Sequence, residues 1–391
     1  MTTRLDEFEI IDTDTHVAEP PDLWTSRVPK KWQDRVPTVK WDEAEEREMW
    51  VMGDQPIAPP GIFAMAGHDK YAPDCPKRLA DADPASWDSK ARIARMDLDG
   101  IRAQVLYSNV ALFSTHSFTD SDETQLRLEC VRAYNDFQTE FASVAPERLL
   151  PMTVLPFWSI EESLEELKRC RELGHRGIAF SQEPAAYGLP RLMSRHWDPL
   201  WAAVQDAGMS VNFHVAAISD GAMMGTDTGI GSHATYANQS VSFFMSNAKT
   251  MAGLIFSGIC HRFPNIDFVS VESGVGWIPT SVAFMDWQWI NSGVYQEHPE
   301  YDLLPSEYFK RQIYGCFWME RETALHAFDQ LGPDNFFFES DFPHGTCLAP
   351  GPATTASAPR DFLAAGLAQD LPDDVLRKVL FGNAARVYSI S

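Results

Sequence analysis

Histidine and carboxylate side chains interrupt otherwise apolar runs at four places in this chain. These are Asp12-Thr-Asp14-Thr-His16, Asn212-Phe-His214, Glu272, and Ser340-Asp341-Phe-Pro-His344. Imidazole and carboxylate are the donors that hold divalent cations. A cation with an open position acidifies bound water and polarises a substrate oxygen. Strand alternation places Asp12, Asp14 and His16 on one face, pointing inward if Ile10 does. Each residue also has a plainer reading alone. Asp12 or Asp14 can cap a turn, His214 can be a hydrogen-bonded core histidine, and Glu272 can pair with an arginine. Together at strand ends they need compensation, because isolated buried charges are costly. A divalent cation is the simplest compensation.

The elements that must position these groups are short apolar or β-branched runs, each followed by a helical pattern. Strand candidates are 8–12, 103–107, 149–155, 177–181, 211–215, 266–272, 312–317 and 335–340. Most are too apolar to leave one face in water. Helical periodicity covers 89–99, 123–143, 159–173, 197–207 and 374–388. Segment 159–173 opens on the capping box Ser159-x-x-Glu162 and stops at Gly174. Eight strands alternating with helices predict a parallel α/β sheet closed into a (β/α)8 TIM barrel.

Such barrels need about 250 residues, so the rest must lie in insertions. The Pro- and Trp-rich stretch 17–88 is expected to follow the first strand and cap the barrel mouth. The Gly-rich stretch 216–240 is expected to be a lid-like loop, and 345–360 is a third excess. No boundary divides residues 1–391 into independent domains. His68, His116, His175, His196, His233, His261, His298 and His326 are assigned surface or capping roles by default. Trp277, Trp287 and Trp289 could wall a pocket, although core packing is their simpler role.

Composition narrows the partners. With 32 Lys+Arg against 55 Asp+Glu the formal net charge is −23, which argues against nucleic acid and anionic membrane surfaces. No apolar run approaches the roughly 20 residues of a membrane span, and the N-terminus lacks a signal-peptide layout. The six cysteines are scattered without CxxC, as expected of reduced thiols in a cytoplasmic protein. There is no G-x-G-x-x-G after a strand and no G-x-S-x-G elbow. The fourth strand carries no lysine that could bridge two metals.

Against that background the chain resembles the amidohydrolase-related proteins of the aminocarboxymuconate-semialdehyde decarboxylase type. The resemblance runs through IIDTDTHVAEP (10–20), RMDLDGIRAQVLY (95–107), APERLLPMTVLPFWSIEESLEELKRCRELGHRGIAF (145–180) and DPLWAAVQDAGMSVNFHV (198–215). It continues in SGICHRFPNIDFVSVESGVGWIP (257–279), FFFESDFPH (336–344) and FGNAARVYSI (381–390). It implies a metal-dependent barrel with ligands from strands one, five and eight. Those ligands fall on Asp14, His16, His214 and Asp341. Asp14 is a variant of the family's usual His-x-His or Glu-x-His. The sharper departure is strand six, where the resemblance expects a catalytic histidine and this chain has Glu272.

The resemblance implies a hydrolase or decarboxylase acting on a small organic acid or amide, with zinc the expected metal. Asp341 or Glu272 would move the proton and His344 would orient substrate. Arg191, Arg195 and Arg321 are weak candidates for holding an anionic substrate. Glu272 raises an alternative, a dinuclear iron or iron–manganese oxygenase with Glu272 as a fifth ligand. A non-catalytic metal-binding subunit of a hetero-oligomer with a paralogue is a third reading. A homodimer is the default assembly.

Overall fold

The computed structural model describes residues 4–110, 123–215 and 227–390. Its strands are β1 (Ile11–His16), β2 (Pro37–Asp42), β3 (Arg47–Met52), β4 (Gln55–Ala58), β5 (Ala103–Tyr107), β6 (Leu149–Val154), β7 (Gly177–Ala179), β8 (Ser210–His214), β9 (Phe268–Val271), β10 (Ile313–Phe317) and β11 (Phe336–Phe338). Eight of them form one parallel sheet in the order β1-β5-β6-β7-β8-β9-β10-β11. The ends of this sheet meet. His16 N–H donates to Phe342 O at 2.7 Å, Asp341 N–H to Asp14 O at 3.0 Å, and Thr13 Oγ1 to Phe338 O at 2.9 Å. The expected α/β barrel is therefore present, nearly closed, with the closing seam beside the polar ends of β1 and β11.

Alternation along the strands divides the core in two. Ile11, Val105, Tyr107, Met152, Val269, Val271, Cys316 and Phe337 fill the interior. Leu106, Leu149, Ile178, Val211, Phe268 and Phe338 face the surrounding helices. Ala384, Val387 and Tyr388 join the interior cluster, so the C-terminal segment contributes to it. Tyr107 and Tyr388 both donate to Asn212 Oδ1, at 3.2 and 2.9 Å. Asn212 is thereby occupied in the barrel filling.

Helix ends follow the local chemistry. Helix Ser89–Asp99 starts with Asp88 accepting from Ala91 N and ends at Gly100 with φ 69°. At Ile160–Glu172 the capping box is half made. Ser159 Oγ accepts from Glu162 N at 3.3 Å, but the Glu162 carboxylate accepts from Trp158 Nε1 at 3.0 Å. The predicted helix 374–388 is interrupted: a π turn over Lys378–Gly382 separates Asp373–Arg377 from Asn383–Val387.

The stretch 17–88 holds an antiparallel sheet, β2-β3-β4, that period-2 patterning alone did not reveal. Trp24 packs edge-on against Trp50, with centroids 5.4 Å apart, and donates to Cys130 O at 3.0 Å. The stretch also touches the loop after β11, where Met65 N and Ala66 N donate to Pro343 O at 2.8 and 3.0 Å. Of the expected 216–240 loop, 216–226 lie outside the described residues. From Ser232 the chain is helical to Phe244, because after Gly231 no glycine or proline interrupts it. All six cysteines are free and buried. No helix among the described residues is long and apolar enough to cross a membrane.

Candidate metal centre

β1 brings two donors inward through an irregularity in its own pairing. Register with β5 is regular at Ile11–Asp12 and again at Thr15–His16, but shifts between Asp12 and Thr15. Such a bulge re-aims the side chains that follow it. Asp12 is thereby separated from Asp14 and His16, contrary to simple alternation, and Ile11 rather than Ile10 joins the barrel interior. Asp12 accepts from Ser340 N at 2.8 Å, Ser340 Oγ at 2.6 Å and Gln104 Nε2 at 3.3 Å. It ties β1 to the end of β11, and burial pushes its carboxyl up to about 7.

Asp14, His16, His214, Glu272, Asp341 and His344 meet at one end of the barrel. Their donor atoms form three overlapping groups, each within 4.8 Å: Asp14–His16–His214, His16–Asp341–His344 and Asp14–Glu272–Asp341. Asp14 Oδ1 is 3.4 Å from His16 Nε2 and 3.3 Å from His214 Nε2. Asp341 Oδ1 is 3.9 Å from His16 Nε2 and 2.7 Å from His344 Nδ1. Glu272 Oε2 is 3.6 Å from His214 Nε2. Asp14, His16, His214 and Asp341 are fully buried, whereas the Glu272 side chain keeps 17% of its exposure and that of His344 13%.

The backbone decides which imidazole nitrogen faces the centre. His16 Nδ1 is 3.1 Å from Ser108 O, and His214 Nδ1 is 2.8 Å from Val215 O. A carbonyl only accepts, so both Nδ1 atoms carry hydrogen and the Nε2 lone pairs turn inward. Those two nitrogens are 2.9 Å apart. At that distance the two nitrogens must either share a proton or have a cation beside them. Both oxygens of Asp14 and Oδ1 of Asp341 are also buried without a hydrogen bond of regular geometry. The donor set therefore fits a divalent cation, for which buried acceptors and Nε2 atoms are the natural ligands.

Electrostatics point the same way. Burial works against the Asp14 charge, but the adjacent imidazoles, His214 foremost, outweigh it and hold the carboxyl below its usual range. Burial and the neighbouring Asp341 and Asp14 charges push Glu272 well up, and burial pushes Asp341 up. Glu272 and Asp341 both sit at positive φ, 54° and 59°. A left-handed non-glycine residue costs about 1–2 kcal/mol, and such strain tends to gather at functional sites.

Several supporting residues were not singled out from the sequence. Arg92 is buried and donates to His16 O at 2.5 Å, Ala85 O at 2.6 Å and Gln104 Oε1 at 3.2 Å; burial lowers its guanidinium to about 9. Glu339 accepts from Glu272 N at 3.1 Å. Asn109 Oδ1 is 2.8 Å from His344 Nε2, and Glu19 accepts from the backbone N–H groups of Asn109 and Val110 at 2.8 and 2.9 Å. Tyr236 is buried, and the Asp341 and Glu272 charges add to burial in raising its hydroxyl. Ser108 and Asn109 directly follow β5, so the strand-end rule that found Asp341 would have found them.

Other expected residues lie elsewhere. Arg321 pairs with Asp370 and Glu322, and Arg195 with Asp198; Arg191 is exposed. Trp289 is core, Trp287 is 63% exposed, and Trp277 donates to Ser273 O, so the three do not wall one pocket. His233 Nδ1 contacts Ala72 O at 2.7 Å. His175, expected at the surface, is fully buried between Thr139 and Thr153. His116 lies outside the described residues.

The sequence is 23% identical over 330 residues to 2-amino-3-carboxymuconate-6-semialdehyde decarboxylase of Dictyostelium discoideum, covering 82% of this chain and 81% of that protein. An amidohydrolase from Mycobacterium avium subsp. paratuberculosis K-10 has a similar fold, with a TM-score of 0.74 and 22% identity, over 98% of this chain and 99% of that one. The 5-carboxyvanillate decarboxylase of Sphingomonas paucimobilis superposes with a TM-score of 0.66 at 19% identity, over 98% and 100%. Residues 11–390 match the amidohydrolase family model from the first barrel strand to the C-terminal helix, and the chain belongs to that family.

Proposed function

We propose that this chain is a metal-dependent decarboxylase of a small unsaturated or aromatic carboxylic acid, with amide or ester hydrolysis the neighbouring reaction on the same groups. The observation that carries it is the convergence of His16 Nε2, His214 Nε2, Asp14 and Asp341 Oδ1, buried and turned toward one another. The similarity to two decarboxylases supports loss of CO2 over hydrolysis. A divalent cation held by Asp14, His16, His214 and Asp341 would draw electron density from a substrate oxygen and lower the pKa of bound water toward about 7. Zinc suits this nitrogen and oxygen set.

The protein's own groups do the remainder. When the carbon–carboxylate bond breaks, CO2 leaves and the electron pair stays on carbon, which must take up one proton. Asp341 and Glu272 lie at the centre and at its partly exposed rim, and are the groups that deliver that proton. In hydrolysis the same carboxylates would pass a water proton to the leaving group. His344, 13% exposed, orients the substrate.

The test is elemental analysis of protein purified without added metal under nitrogen, followed by CO2 release from a panel of hydroxybenzoic and muconic acids. About one zinc per chain and CO2 evolution are expected. Turnover that incorporates water without CO2 would replace decarboxylation with hydrolysis. A second reading is favoured by the Asp14–Glu272–Asp341 group, which places a third carboxylate where a second cation could sit. Nearly two iron or manganese atoms per chain, visible absorption and oxygen uptake with a reductant would establish that dinuclear oxygenase. A colourless zinc protein indifferent to oxygen would dismiss it. Bound metal with turnover only after adding a paralogous chain would instead mark a supporting subunit.

A further inference from the structure

His344 projects from the loop after β11, and its ring could present either nitrogen to the centre. The neighbouring amide removes that freedom. Asn109 Nδ2 donates to Val17 O at 3.0 Å and to Glu19 Oε2 at 3.3 Å. The Val17 carbonyl only accepts, so the nitrogen end of the amide must lie there and Oδ1 must be the end facing His344. An amide oxygen only accepts as well. At 2.8 Å from Asn109 Oδ1, His344 Nε2 is therefore the donor and must carry hydrogen.

The amide itself is held from behind. Glu19 Oε1 accepts from the backbone N–H groups of Asn109 and Val110, at 2.8 and 2.9 Å, and the carboxylate is almost wholly buried. Four hydrogen bonds, counting the two from Asn109 Nδ2, thus fix the loop after β5 against the segment after β1. Stacking fixes the plane of the ring, since His344 lies on His16 with centroids 3.9 Å apart and planes 28° apart. With Nε2 committed to Asn109, Nδ1 is the nitrogen left 2.7 Å from Asp341 Oδ1.

We propose that Asn109, clamped by Glu19 and Val17 O, is a positioning residue. It sets Nε2 as a protonated nitrogen of His344 and turns Nδ1 toward Asp341. Substrate and the proton-carrying carboxylate then meet one defined edge of the ring. The proposal rests on the reading of the cluster as the active site, but its central claim concerns a single imidazole and can be measured without a substrate.

The experiment uses full-length protein with 15N-labelled histidine, loaded with zinc, a diamagnetic ion. A His344→Gln variant assigns the ring resonances. In the native protein His344 should show a slowly exchanging Nε2–H with a donor nitrogen shift. In Asn109→Leu, which keeps bulk but loses the acceptor, that hydrogen should exchange at least about tenfold faster, with zinc content unchanged. Glu19→Gln keeps an oxygen for the two backbone donors and should show a smaller acceleration. A native ring protonated at Nδ1 alone overturns the proposal, as does an unaltered Nε2–H in Asn109→Leu. If Asn109→Leu does not fold, the native tautomer and Glu19→Gln still decide. Zinc failing to bind native protein while the Nε2–H signature is intact would sink the active-site reading and leave Asn109's role standing.

Discussion

Removing the His214 imidazole should remove most of the metal-dependent stabilisation while leaving the barrel folded. His214 Nε2 lies 2.9 Å from His16 Nε2, 3.3 Å from Asp14 Oδ1 and 3.6 Å from Glu272 Oε2, at the junction of the histidine and carboxylate groups. A ligand at 100 times its Kd stabilises the folded state by about 2.7 kcal/mol. Unfolding entropy is roughly 2.1 cal/mol/K per residue, or about 0.8 kcal/mol/K for 391 residues. Native protein treated with chelator and then given zinc at that ratio should therefore gain about 3 °C in Tm. Loss of an outer partner of a metal ligand weakens binding 10–100-fold, so loss of a ligand itself should cost at least about 100-fold. At the same zinc concentration His214→Ala then keeps RT ln 2, about 0.4 kcal/mol, or roughly half a degree. Differential scanning calorimetry with and without zinc reads both numbers. An equal shift in native and His214→Ala protein would refute the proposed ligand set, and so would no shift in the native protein.

Three further outcomes follow from other buried positions in the fold. His175 Nε2 donates to Thr139 Oγ1, whose own hydrogen goes to Asn135 O, and its Nδ1 accepts from Thr153; burial holds its pKa at about 4. The unfolded chain binds that proton near pH 6.5 and the folded chain does not, so stability should fall by up to about 3 kcal/mol as pH drops from about 6.5 to about 4. Urea midpoints across that range should slope less in His175→Gln; an unchanged slope would remove His175 from the account. Arg92→Met strips the buried donors from His16 O and Ala85 O, and at about 1–3 kcal/mol for each unsatisfied acceptor should cost about 2–6 kcal/mol in urea unfolding. A loss below about 1 kcal/mol would show the guanidinium is dispensable. Gly61→Ala would set a Cβ 2.1 Å from Pro76 O, a backbone atom that cannot swing aside, so a calorimetric loss of about 1–3 kcal/mol is expected.

The barrel strands were legible because they are the most local signal in the chain. Runs such as AQVLY at 103–107 and VNFHV at 211–215 are buried on both faces, and they coincide with β5 and nearly with β8. The small sheet β2-β3-β4 was not legible. It carries only partial burial, as in the mixed pattern of Pro37–Asp42, and its tryptophans read as cap filling rather than as strand residues. Arg92 and Glu19 were invisible as site residues because each acts on a backbone group or an amide brought near by closure, and a helical arginine usually faces water. The π turn at Lys378–Gly382 keeps the apolar spacing of a continuous helix, so periodicity passed over it.

The sequence by itself determined the donor types at strand ends, the number of parallel strands, and the excess of acid that calls for a cation. Those features repeat every two or every three to four residues, within reach of local pattern. Tertiary structure alone decided that a bulge would separate Asp12 from Asp14, and that Ser108 O and Val215 O would turn two Nε2 atoms inward. It also decided that Asn109 would meet His344 across 235 positions of chain. Hydrogen-bond direction depends on ångström-scale closure of the barrel, and no local spacing encodes it.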